Sequence, residues 1–121
     1  LFGDQVYLDG AHNPHAMLRL IEFANSLAGK RVKILFGALK RKDYSGMLQT
    51  LQAGLPEAEL ILTTFHYGEV VAQGDRQDLP YVADYKAYIK EFMDQSPSDE
   101  VLFVTGSLYF IAEVRAFLLE G

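Results

Sequence analysis

Three short stretches hold the residues whose types and spacing could do chemistry. The first is Asp9-Gly10-Ala11-His12-Asn13-Pro14, a carboxylate directly after an apolar run, then a glycine, a histidine and an Asn-Pro pair. A carboxylate at the end of a strand can accept hydrogen bonds from two hydroxyls, which suits a ribose. Asp9 and Asn13 could equally satisfy backbone donors at a turn and a helix start. His12 reads as a hydrogen-bond donor lining the same cleft. A metal site is not expected, because Pro14 separates His12 from His15 and no third ligand follows at a useful spacing. His15 reads as an exposed first-turn residue, and His66 as structural or solvated.

The second stretch is Gly37-Ala38-Leu39-Lys40-Arg41-Lys42-Asp43. Three consecutive cations between a strand and a helix start would serve a carboxylate or phosphate well; the same run also reads as a solvated basic loop. The third is Thr105-Gly106-Ser107, where a hydroxyl and free N–H groups could hold a carboxylate, or where Ser107 simply caps a helix after a tight turn. No Gly-rich phosphate loop ending in Lys-Ser/Thr is present, and no nucleophile elbow. The chain therefore lacks the parts for phosphoryl transfer by itself.

Four apolar runs are expected to form the strands that position these turns: Val6 to Leu8, Val32 to Phe36, Leu60 to Leu62 running into Thr64, and Val101 to Val104. A first helix is expected from the Asn13-Pro14 start to about Gly29, with Met17, Leu20, Ile21, Ala24 and Leu27 on its apolar face. Asp43 is placed to cap a second, carrying Tyr44, Met47, Leu48 and Leu51 and ending near Gly54 and Pro56. Asp84 is placed to cap a third, with Tyr85, Tyr88, Ile89 and Phe92, stopped before Pro97. Ser107 is placed to cap the last, whose stripe is read as Leu108, Ile111, Ala112 and Leu118. Tyr67 to Tyr81 has no period and reads as a long surface connection, with no site assigned to it. Strand and helix alternate, so the fold class expected is α/β, a mostly parallel sheet with helices on both faces. In such a sheet ligands bind outside the carboxyl ends of the strands, and all three polar turns fall there.

The composition agrees with one globular domain spanning residues 1–121, with 50% hydrophobic and 22% charged residues. A net charge of −5 argues against general nucleic-acid binding. There is no cysteine, so disulfide and thiolate chemistry are excluded and a cytoplasmic location is compatible. No apolar run has the length of a membrane span, and the start does not read as a signal peptide. Because the chain opens on Leu1, a domain cut from a larger enzyme is the simplest expectation.

Leu8 to Pro14, Phe36 to Tyr44 and Thr105 to Tyr109 resemble, in order and spacing, three motifs of the folylpolyglutamate and dihydrofolate synthases. The related Mur ligases share this carboxy-terminal domain with a similar Asp-x-Ala-His motif; Gly10 and Asn13 favour the folate branch. The resemblance implies a three-layer, Rossmann-like carboxy-terminal domain of an ATP- and Mg2+-dependent ligase that joins L-glutamate to a folate through an acyl phosphate. It implies that Asp9 contacts the nucleotide, that His12 lines the cleft between nucleotide and glutamate, and that Lys40, Lys42 and Ser107 hold the incoming glutamate. The phosphate loop and magnesium ligands would belong to an amino-terminal ATPase domain not in this sequence, and the fragment alone would be inactive. Two alternatives stand beside this: a free-standing α/β nucleotide- or anion-binding domain, and a Mur-type ligase domain with another acceptor.

Overall fold

A computed structural model describes residues 5–10, 14–27, 29–40, 44–67, 69–70, 78–95 and 98–120. The elements run β1 (Val6–Asp9), α1 (Pro14–Asn25), β2 (Arg31–Gly37), α2 (Tyr44–Gly54), β3 (Glu59–Thr63), β4 (Tyr81–Val82), α3 (Tyr85–Gln95), β5 (Glu100–Gly106) and α4 (Leu108–Glu120). The strands form one sheet in the order β1-β5-β2-β3-β4, and each neighbouring pair is parallel.

Alternation along the strands divides the core in two. Ile34, Phe36, Leu60, Leu62, Val101 and Phe103 face one side, where Met17, Leu20, Ile21 and Ala24 of α1 and Met47, Leu48 and Leu51 of α2 cover them. Leu35, Ile61, Leu102 and Val104 face the other, under Tyr85, Ile89 and Phe92 of α3 and Phe110 and Val114 of α4. The result is a helix–sheet–helix sandwich, as the alternating pattern predicts. The Asn13 and Asp43 caps and Pro97 lie outside the described residues. The Asp84 cap is present: its carboxylate accepts the Ala87 N–H at 3.0 Å.

Two expectations are corrected. The connection after β3 contains structure: Tyr81–Val82 pairs with Leu62 and Thr63 as a fifth strand, and Val70 bridges antiparallel to Leu39. Two residues are too few to show a period, and Pro80 beside them disguises the strand. Its place is held partly by side-chain chemistry, with Thr63 Oγ1 donating to the Val82 carbonyl at 2.6 Å. The buried face of α4 is also rotated from the expected stripe. Phe110 and Val114 are fully buried, whereas Leu108 is 53% exposed and Ala112 is exposed. The helix begins immediately after the tight Gly106 turn, whose direction fixes which face meets the sheet, and Leu108 is left lying over Gly10.

Candidate functional site

Strand order and register bring the three polar turns together. β5 lies between β1 and β2, with Asp9 opposite Thr105 and Gly37 opposite Gly106 at the strands' carboxyl ends. After these ends α1 and α2 turn to one face of the sheet and α4 to the other. Neighbouring strands whose connections leave to opposite faces open a crevice between them, and here β5 has such a neighbour on each side. Asp9, Gly37 and Thr105 to Ser107 border it.

Backbone contacts hold this edge tightly. Gly106 has φ +123°, a region open in practice to glycine. A Cβ there would stand 2.0 Å from the Gly37 carbonyl oxygen, so β5 and β2 approach too closely for any side chain. At Gly10 a Cβ would meet Leu108 Cδ2 at 2.7 Å, which ties the first turn to the third. Thr105 Oγ1 donates to the Asp9 carbonyl at 2.8 Å.

Ser107 is 7% exposed, and its backbone N–H donates to the Gly37 carbonyl at 2.8 Å. Its Oγ accepts the Tyr109 N–H at 3.1 Å, so it caps α4. The Ser107 and Tyr109 N–H groups are therefore used internally. What Ser107 still offers is its hydroxyl proton. Asp9 is half-buried at the end of β1, and Lys40 is exposed three residues beyond the end of β2. His12 and Lys42 lie outside the described residues. His15 is exposed at the start of α1.

A second cluster at the same end of the sheet was not legible as a motif. The Glu113 carboxylate accepts the Tyr85 hydroxyl at 2.6 Å through Oε2 and the His66 backbone N–H at 3.0 Å through Oε1. His66 Nδ1 lies 3.3 Å from Oε2 and donates to it when protonated there. Burial alone would raise the Glu113 pKa, but the Tyr85 and His66 hydrogen bonds and the histidine's charge outweigh it and hold the carboxyl below its ordinary value. Burial, then the hydrogen bond and negative charge of Glu113, push the Tyr85 phenol far above its usual range. The only sequence signal was a lone Glu at half-buried helical spacing, three residues after Phe110.

A larger cleft, of about 590 Å³, opens at the opposite edge of the sheet between the ends of α1 and α2. Its lining includes Ala24, Leu27, Leu55 and Pro56 with the polar Asn25, Lys30, Arg31 and Glu57, of which Lys30 donates to the Ser98 carbonyl and Arg31 pairs with Asp99. Volume alone does not choose a site, and the carboxyl ends of the strands are the better guide in an open α/β sheet. Among the described residues, no group of three or more His, Asp or Glu side chains is placed to hold a metal ion. Among them too, no helix is long and apolar enough to cross a membrane.

Residues 3–108 match the family model described as Mur ligase, glutamate ligase domain. The dihydrofolate synthase/folylpolyglutamate synthase of Bacillus subtilis (strain 168) is 31% identical over 91% of this chain and 27% of its own length. The folylpolyglutamate synthase of Lacticaseibacillus casei is 29% identical over 96% of this chain and 27% of its own length. The crystal structure of the bifunctional folylpolyglutamate synthase/dihydrofolate synthase of Yersinia pestis, complexed with AMPPNP and Mn ion, superposes with a TM-score of 0.78 at 24% identity. It covers 94% of this chain, which spans 28% of that protein. The chain thus spans less than a third of the length of the relatives it matches, and its fold is theirs.

Proposed function

This chain belongs to the glutamate ligase domain family of the Mur ligases, and on that premise we propose that it is the carboxy-terminal domain of a cytoplasmic, ATP-dependent folate–glutamate ligase. The observation that carries the reading is the meeting of Asp9, Thr105 and Gly37 at one edge through parallel register. Three motifs distant in sequence become one surface. The Bacillus relative's name and the nucleotide analogue in the Yersinia structure support the choice of reaction and of ATP.

In that reaction the γ-phosphoryl group of ATP passes to the folate's glutamyl carboxylate, giving an acyl phosphate and ADP. The amino group of L-glutamate then attacks the acyl carbon, and phosphate leaves. This chain's share is to hold the reactants rather than to move the phosphoryl group. Asp9, at a strand end beside Gly10, can accept from the ribose hydroxyls. Lys40 supplies a positive charge for a glutamate carboxylate, and Ser107 can donate its hydroxyl proton to the same ligand while its oxygen caps α4. His12 and Lys42 take the cleft-lining and second cationic roles by their place in the motifs. Alignment of the amine with the acyl carbon is the main gain such positioning offers. Magnesium is assigned, by the resemblance, to the ATPase domain, the partner this domain needs.

Two measurements test the reading. In the full-length ligase carrying this domain, Asp9→Ala should raise the KM for ATP by about tenfold or more, the worth of a charged hydrogen bond; an unchanged KM for ATP refutes the role of Asp9. The purified 121-residue chain should release no ADP in a folate-dependent reaction, and release would overturn the need for a partner domain.

A further inference from the structure

The first residues after β3 belong to no motif, yet they are tied to both the second and the third polar turns. Phe65 is buried, 5.1 Å from the Phe110 ring of α4. His66 bonds to Glu113 of α4 through its backbone N–H and its ring. The Tyr67 ring stacks on Tyr109 with centroids 4.0 Å apart and planes 14° from parallel. The chain then reaches the Lys40 turn, where the Glu69 carbonyl accepts the Lys40 N–H at 2.9 Å and Val70 bridges to Leu39. Residues 65–67 and 69–70, together the strap, thus contact α4 and the backbone of Leu39 and Lys40 respectively.

Glu113 is the polar fastening of that strap. One carboxylate accepts from the Tyr85 hydroxyl of α3 and from the His66 backbone N–H, with the His66 ring beside it, so it joins two helices to the loop. Holding α4 on the sheet needs none of this, since Phe110 and Val114 are already fully buried there. The His66 side chain is 88% exposed, and an ion pair that far into solvent adds little global stability. The effect of the carboxylate is local: it fixes where the strap lies.

We propose that Glu113 is a positioning residue for the Lys40 side of the site, acting through His66 and Tyr67 and, beyond them, Glu69 and Val70. The part of this that names L-glutamate as the ligand rests on the function proposed above. Glu113 touches no reactant; it sets the backbone from which Lys40 reaches one. An amide in its place has an acceptor oxygen on one side, an NH2 donor on the other and no charge, so the Tyr85 hydroxyl and the His66 backbone N–H no longer each have an oxygen of their own.

The test uses Glu113→Gln, which keeps the side chain's shape, with Glu113→Ala beside it, in the full-length ligase. Amide hydrogen exchange at Lys40 should accelerate by about tenfold in Glu113→Gln, while Leu35 and Leu102 in the central strands keep their protection. The KM for L-glutamate should rise by about fivefold with the KM for ATP within about twofold of the parent, and Glu113→Ala should exceed Glu113→Gln in both readouts. Unchanged exchange at Lys40, or exchange raised equally across the central strands, overturns the proposal. So does a parallel rise in both KM values. Lys40→Ala separates this idea from the one beneath it. If Lys40→Ala raises the KM for L-glutamate and Glu113→Gln does not, the positioning role is wrong. If Lys40→Ala leaves that KM unchanged, it is the assignment of Lys40 to glutamate that fails.

Discussion

The carboxyl edge of the sheet has two halves built on different principles. Around β1, β5 and β2 the functional turns are set by main chain: parallel register, the Gly106–Gly37 approach and the Ser107 N–H on the Gly37 carbonyl. Around β3 and β4 main-chain pairing is short, and side chains add much of the fastening, through Glu113, Thr63 and the Tyr67–Tyr109 stack. Main-chain contacts demand particular residue types in a row, so the first half shows up as motifs. Side-chain fastenings can be supplied from distant positions, so the second half does not. The first half should therefore be intolerant of small changes, and the second tunable.

The largest break in that contrast is Gly106→Ala. Its φ of +123° and the 2.0 Å approach to the Gly37 oxygen leave no room for a methyl group. The conformational part alone costs about 1–3 kcal/mol, with the steric clash added to it. Urea unfolding should show a loss of at least that size; a change under about 0.5 kcal/mol would mean the edge is as adaptable as the strap.

The next effect is in pH. The pKa of Glu113 is lowered in the folded protein, so its contribution is complete above the unfolded carboxyl value of 4.5 and is lost as pH falls through the lower folded value. Protection of the Lys40 amide, taken relative to amides of the central strands, should fall from neutral pH downward less steeply in Glu113→Gln than in the parent across that acidic range. Identical slopes would show that the carboxylate is not the fastening described.

A smaller effect is expected at Ser107, whose hydroxyl caps α4. Ser107→Ala should cost about 1 kcal/mol in urea unfolding, and Ser107→Gly only a few tenths of that if backbone fit is unharmed. Equal losses in the two variants would show that the serine acts through something other than the cap.

Much of the fold could be read before the structure. Met17, Leu20, Ile21 and Ala24 identify the buried face of α1 by helical spacing alone, and Tyr85, Ile89 and Phe92 do the same for α3. The reading fails where periodicity has too little length or a tertiary contact decides. Tyr81–Val82 is only two residues long, and α4 is apolar nearly all round, so local pattern could not choose Phe110 over Leu108. The candidate site divides in the same way. Asp9, Lys40 and Ser107 stand out because polar residues beside strand-ending glycines are conspicuous. Glu113 is hidden because its meaning depends on His66 and Tyr85, 47 and 28 positions away.

The ends of β1, β5 and β2 are assigned to the nucleotide, and titration of the isotope-labelled 121-residue chain with ADP, followed by amide chemical shifts, checks that assignment. Shifts are expected at Gly10, Thr105, Gly106 and Ser107, with Arg31, Glu59 and Asp99 at the opposite edge unmoved. Shifts confined to that opposite edge, beside the larger cleft, would contradict it.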